Sequence, residues 1–154
     1  PEDKVAEDAA EEAPAGRFLL RKIYLKDASF EAPGSPGVFQ CGEWNPDVDL
    51  NMDNSARKIE RDLYEVTITA TVTVTVGDQV AYLVEVTQAG MFHITGFSNE
   101  KVKESLGTEC PSILFPFVRE VVTDLATKGG FPQLLLAPMN FQVLYQKHLG
   151  HQAR

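Results

Sequence analysis

From Tyr64 to Val76 apolar and polar residues alternate without a break. Tyr64, Val66, Ile68, Ala70, Val72, Val74 and Val76 share one parity; Glu65 and Thr67, Thr69, Thr71, Thr73 and Thr75 hold the other. A period of two sustained this long predicts a β-strand with one face on a core, because successive side chains point to opposite sides of a sheet. The threonine face carries no lysine that would discourage pairing or docking. It predicts a smooth, wettable surface open to a partner.

Gly77-Asp78 predicts a turn, after which Val80, Tyr82, Val84 and Val86 alternate with Ala81, Leu83, Glu85 and Thr87. Ala89-Gly90 reads as a second reversal leading into a short strand, Met91 to Phe97, with Phe92 and Ile94 in the core-facing phase. An earlier strand, Phe18 to Phe30, is apolar on both parities and so needs cover on both faces. Then the period changes. Ser98 suits the N-cap of a short helix ending at Gly107. Leu114, Val118, Val121, Val122 and Leu125 recur at helical spacing from about Pro111 or Pro116 to Lys128, where Gly129 is free to take positive φ. A last helix carries Phe141, Leu144, Tyr145 and His148 on one stripe. Strands followed by helices predict an α+β fold, a four-stranded antiparallel sheet with helices packed on one face.

The 154 residues, 44% of them hydrophobic, suit one globular domain. Residues 1–16 contribute −5 of the formal −8 and contain five alanines and two prolines, which predicts a disordered acidic tail. The domain is expected over 17–149, with a flexible end at 150–154. Nucleic acid is an unsuitable partner, because no basic stripe is present to meet phosphates. No apolar run has the length of a membrane span and the acidic start does not resemble a signal peptide, so a cytoplasmic protein is expected.

Little points to catalysis. Cys41 and Cys110 are far apart and read as free thiols. His148 and His151 share a spacing that could grip a metal but have no third ligand nearby, and His93 sits among apolar neighbours in a strand. There is no phosphate-cradling glycine loop and no nucleophile elbow. No cofactor or metal is expected, and the chain is expected not to be an enzyme.

Residues 32–53 form a long connection with three prolines and three glycines, yet Trp44 is followed by Val48, Leu50 and Met52 in alternation with Asp47, Asp49, Asn51 and Asp53. One reading is an edge strand tucked onto the core. The other is a partly exposed apolar groove rimmed by acids, suited to extended or unfolded ligands because Met and aromatic faces tolerate varied partners.

Several stretches together resemble the SecB family of bacterial protein-export chaperones over about residues 17–149. They are IYLKDASFEAP from Ile23 to Pro33, Val38-Phe39-Gln40, Trp44 with Pro46, Tyr64-Glu65-Val66, Cys110-Pro111 running into Ile113-Leu114-Phe115-Pro116, Arg119-Glu120, Phe131-Pro132-Gln133-Leu134, Ala137-Pro138 and Asn140-Phe141. The resemblance implies a homotetramer, a dimer of dimers, that holds unfolded preproteins in hydrophobic grooves without ATP. Trp44, Val48, Leu50, Met52, Phe131, Leu134, Phe141 and Tyr145 correspond to the groove region. It further implies delivery to the export motor SecA, whose zinc-bearing basic C-terminal tail would meet Asp27, Glu31, Leu83 and Glu85; zinc then belongs to the partner. Val84, Val86 and Gln88 match the family's tetramer contacts. The acidic extension and the short, basic end after His148 depart from the shared pattern. Two other readings are a SecB-like chaperone dedicated to a toxin–antitoxin pair, and a pocket for a small apolar ligand or an enzyme using Cys41 or His93.

Overall fold

The computed structural model describes residues 15–152, with side chains as far as Gly150, so most of the expected acidic tail, the side chain of His151 and the last two residues lie outside it. Four strands, β1 (Arg17–Glu31), β2 (Asp47–Glu60), β3 (Leu63–Val76) and β4 (Gln79–Thr95), form one sheet in the order β1-β4-β3-β2 with every neighbouring pair antiparallel. Three helices follow, α1 (Asn99–Gly107), α2 (Glu109–Lys128) and α3 (Phe141–Gln152). The even-numbered face of β3, Val66 to Val74, is buried, as its alternation requires.

The expected strand count of four holds, but its membership differs. Ala89-Gly90 does not reverse the chain, because β4 runs unbroken past it, pairing Gly90 with Ile23 on one side and Val66 on the other. Glycine stands there for space: a Cβ would lie 2.8 Å from the Phe92 ring and 3.0 Å from Leu114 Cδ2 of α2. The fourth strand is β2, which forms a hairpin with β3 through Arg61 and Asp62, the latter at φ 63°. The edge-strand reading of Val48 to Met52 therefore holds, and the strand continues to Glu60.

Ser98 caps α1 by accepting the Lys101 N–H at 3.2 Å. In α2 the buried residues Cys110, Leu114, Val118, Val122 and Ala126 recur every four positions, a ridge laid along the inner faces of β3 and β4. The helix begins before both prolines. Pro116 lies well inside it, where it has no N–H to donate to the Ser112 carbonyl. Gly129 stays right-handed at φ −71°, and the positive φ falls one residue later, at Gly130 (88°). Asn140 opens α3 by accepting the Val143 N–H at 3.1 Å. The expected α3 stripe packs unevenly: Phe141 is buried and Tyr145 half-buried, whereas Leu144 and His148 are exposed. The helix reaches Gln152, three residues into the segment expected to be a flexible end. On β1, Leu19, Leu20 and Leu25 are exposed, so the two-sided cover that strand calls for is not supplied within one chain.

Candidate binding surfaces

The apolar surface is organised by Phe131, 5% exposed and set just beyond α2. Its ring centroid lies 4.6 Å from Tyr82, 5.1 Å from Phe39, 5.7 Å from Trp44 and 6.3 Å from Phe30. Two glycines allow this approach. A Cβ on Gly129 would fall 2.2 Å from Phe30 Cζ, and Gly130 takes a backbone conformation other residues avoid. Phe131 and Tyr82 form the floor, while Phe39 at 51% exposure and Trp44 at 37% form an open rim. The surface continues along β2, where register places Val48 beside Val74, which separates it from Tyr82 in the same row, with half-buried Leu50 and Met52 following on the same face. Leu134 joins from the loop after α2, held by the Thr123 hydroxyl donating to its carbonyl at 2.6 Å.

Phe141 and Tyr145 do not share ring contacts with this cluster. Phe141 packs on Phe115 at 6.0 Å, and Tyr145 lies over Gly107, where a Cβ would meet its ring at 2.7 Å. Each borders an open depression beside Thr108, of about 580 Å³ for Phe141 and about 540 Å³ for Tyr145. Sequence periodicity does not single out Phe39, because it sits between Val38 and Gln40 in the single helical turn Gly37–Gln40, too short to carry a period. Val84, Val86 and Gln88 are buried on the inner face of β4, within a single chain. Their side chains have no free surface to offer another subunit.

The opposite face of the sheet is acidic. Glu31, Leu83, Thr73 and Asp49 form one row across all four strands, Ser29, Glu85, Thr71 and Asn51 the next, and Asp27, Thr87, Thr69 and Asp53 a third. Neighbouring strands lie about 4.8 Å apart, so each row spans about 14 Å. Asp27, Glu31 and Glu85 are exposed and Leu83 is half-buried among them. Asp47, Asp49 and Asp53 therefore face away from the apolar surface instead of rimming it, and they extend the Asp27–Glu85 patch to the far edge. Among the described residues none of these six carboxylates makes an ion pair. Glu85 accepts a hydrogen bond from the Thr71 hydroxyl at 3.4 Å.

Farther along this face Glu65 is buried and fully engaged. The Tyr24 hydroxyl donates to Oε2, Arg57 Nε donates to Oε1 at 2.9 Å, and Lys26 Nζ lies 3.3 Å from both oxygens. The cluster joins β1, β2 and β3. The phenol hydrogen bond, then Arg57 and Lys26, outweigh burial and hold the Glu65 carboxyl at about 2. Burial first, and Glu65 second, push the Tyr24 phenol up to about 12. Lys26 reaches Glu65 because the ladder slips here: Leu25 and Asp27 face Gln88 and Thr87, consecutive residues of β4, leaving Lys26 as the extra residue of a bulge.

Other chemistry is sparse. Burial pushes the Cys110 thiol up to about 12, which keeps it protonated and unreactive at neutral pH. Cys41 is exposed. His93 is half-buried, and its Nδ1 has no hydrogen-bond partner among the described residues. Among those residues no group of His, Cys, Asp or Glu is arranged to hold a metal ion, and no helix is long and apolar enough to cross a membrane.

The chain is similar to known proteins over most of its length. The chain is 50% identical over 145 residues to the protein-export protein SecB of Nitrosococcus oceani, covering 94% of this chain and 88% of that one. It is 51% identical to SecB of Thioalkalivibrio sulfidiphilus (92% and 84% covered) and 46% identical to that of Methylococcus capsulatus (88% and 87%). Among solved structures, the SecB-like chaperone of Mycobacterium tuberculosis in complex with a ChAD peptide from the HigA1 antitoxin superposes with a TM-score of 0.67 at 19% identity, over 80% of this chain and 91% of that one, a likeness of fold. The family profile described as preprotein translocase subunit SecB matches residues 10–152, and the chain belongs to the SecB family.

Proposed function

We propose that this protein is a nucleotide-independent export chaperone that holds unfolded secretory precursors on its apolar surface and presents them to the SecA motor through its acidic sheet face. The observation that carries the reading is the pairing of two surfaces on one sheet: an open aromatic rim over a buried floor on one side, and unpaired carboxylates in rows on the other. Trp44, Val48, Leu50, Met52, Phe131 and Leu134, with Phe39, take the client. Their affinity comes from apolar burial, which selects for exposed hydrophobic segments and not for sequence. Phe141 and Tyr145 serve this surface indirectly, by seating α3.

Asp27, Glu31, Leu83 and Glu85 take the basic, zinc-bearing tail of SecA, with Leu83 as the apolar anchor among charges that steer association. The working particle is a homotetramer, a dimer of dimers. Exposed Leu19, Leu20 and Leu25 on the edge strand, and Val143, Leu144 and Leu149 on α3, supply apolar area for subunit contacts. Val84, Val86 and Gln88 serve assembly indirectly, by seating α2 from the buried inner face of β4. The protein performs no catalysis and works in the cytoplasm, where precursors are still unfolded. Identities of 46–51% to export proteins support general export over service to a single antitoxin. Suppression of aggregation of an unfolded secretory precursor without nucleotide, followed by its transfer to SecA, tests the reading; aggregation at the rate seen without the protein would refute it.

A further inference from the structure

We propose that Glu65 is a positioning residue for the acidic face: by holding Lys26 it keeps that ammonium off Asp27, so that the docking carboxylates stay unpaired. The inference rests on the reading of Asp27, Glu31, Leu83 and Glu85 as the motor contact. The bulge at Lys26 puts two consecutive residues of opposite charge on the same outer face of β1, and a lysine stem is long and flexible enough to serve either of two carboxylates. The competition has an unequal outcome. Asp27 is exposed and keeps its water when unpaired, whereas the Glu65 side chain is 6% exposed and loses hydrogen bonds it cannot replace from solvent. Tyr24 and Arg57 fix the Glu65 carboxylate in place, so Lys26 meets a preformed acceptor. Lys26 accordingly pairs with Glu65 at 3.3 Å, and Asp27 makes no ion pair among the described residues.

The test measures SecA affinity for the assembled protein and for Glu65→Gln, Lys26→Met, the double variant and Glu85→Lys. Glu65→Gln releases Lys26 toward Asp27 and is expected to weaken docking by about threefold to fivefold, the upper end of the scale for one exposed charge pair. Lys26→Met in the Glu65→Gln background is expected to restore affinity to within about twofold of the parent, a rescue that a merely structural role for Glu65 does not produce. Unchanged docking by Glu65→Gln, or a loss that persists in the double variant, overturns the inference. If Glu65→Gln does not assemble, Lys26→Met alone decides. Affinity within about twofold of the parent supports a lysine already withdrawn, and a gain beyond about threefold shows that it was neutralising Asp27 and overturns the inference. Glu85→Lys separates the two levels, since undiminished docking there refutes the motor-contact reading itself.

Discussion

Replacing Phe39 and Trp44 together with alanine removes the open rim of the aromatic cluster and leaves its floor. Side chains of this size present about 200 Å² each. With 51% of Phe39 and 37% of Trp44 exposed, roughly 170 Å² is available to a client, worth about 4 kcal/mol at 25 cal/mol per Å² if all of it is covered. Partial coverage and the ordering of the client reduce this to about 2 kcal/mol, a loss of about thirtyfold in affinity. Both rings also touch Phe131, so the fold itself loses about 1 kcal/mol of aromatic contact per ring and remains assembled. Titration of a carboxymethylated, permanently unfolded precursor by calorimetry measures the binding loss, with light scattering as the control for assembly. Client affinity within twofold of the parent at unchanged particle mass would show that the rim takes no part in binding.

Four further expectations follow from the same geometry. Leu50→Asp with Met52→Asp is expected to weaken client binding without dissociating the particle, and unchanged affinity in the same titration removes β2 from the client surface. Leu83→Arg with Glu85→Lys is expected to abolish docking to SecA in a co-sedimentation assay while client capture persists; loss of both would mark the outer face as structural. Gly129→Ala drives a Cβ to 2.2 Å from Phe30 and is expected to cost about 1–3 kcal/mol in urea unfolding. Glu65 contributes a pH dependence: a carboxyl held at about 2, against an unfolded value of about 4.3, corresponds to at most about 3 kcal/mol, and to about half of that after screening of the exposed Lys26 and Arg57. Because the folded value is the lower one, this stability is fully present above about pH 4.5 and drains away as pH falls toward 2, a slope that Glu65→Gln is expected to flatten.

How far the molecule was legible depended on whether a residue's role is periodic. The Tyr64–Val76 alternation located β3 and its two faces, and the spacing of Leu114, Val118 and Val122 located the ridge of α2, because burial on one side imposes a period. Gly90 misled for the opposite reason. A glycine that makes room for a helix looks in sequence like a glycine that makes a turn, and only the approach of Leu114 separates the two. The parity of Asp47, Asp49 and Asp53 was visible, but the face they share with Leu83 and Glu85 depends on the β2–β3 and β3–β4 registers, which are long-range properties. Phe39 and Phe131 meet across more than ninety residues, from a single helical turn and a loop, where no period exists to follow. Trp44, singled out by the pattern of residues 32–53, and Phe131, placed by resemblance, do meet, whereas Phe141 and Tyr145, also placed by resemblance, pack on α2 and α1.

The central claim is that an assembled particle recognises the unfolded state of its client. Light scattering on the purified protein, alone and with a secretory precursor in unfolded and folded forms, addresses it in one experiment. The account predicts a particle near four times the 17.0 kDa chain that gains mass with the unfolded precursor and ignores the folded one. A monomer indifferent to unfolded chains would contradict it.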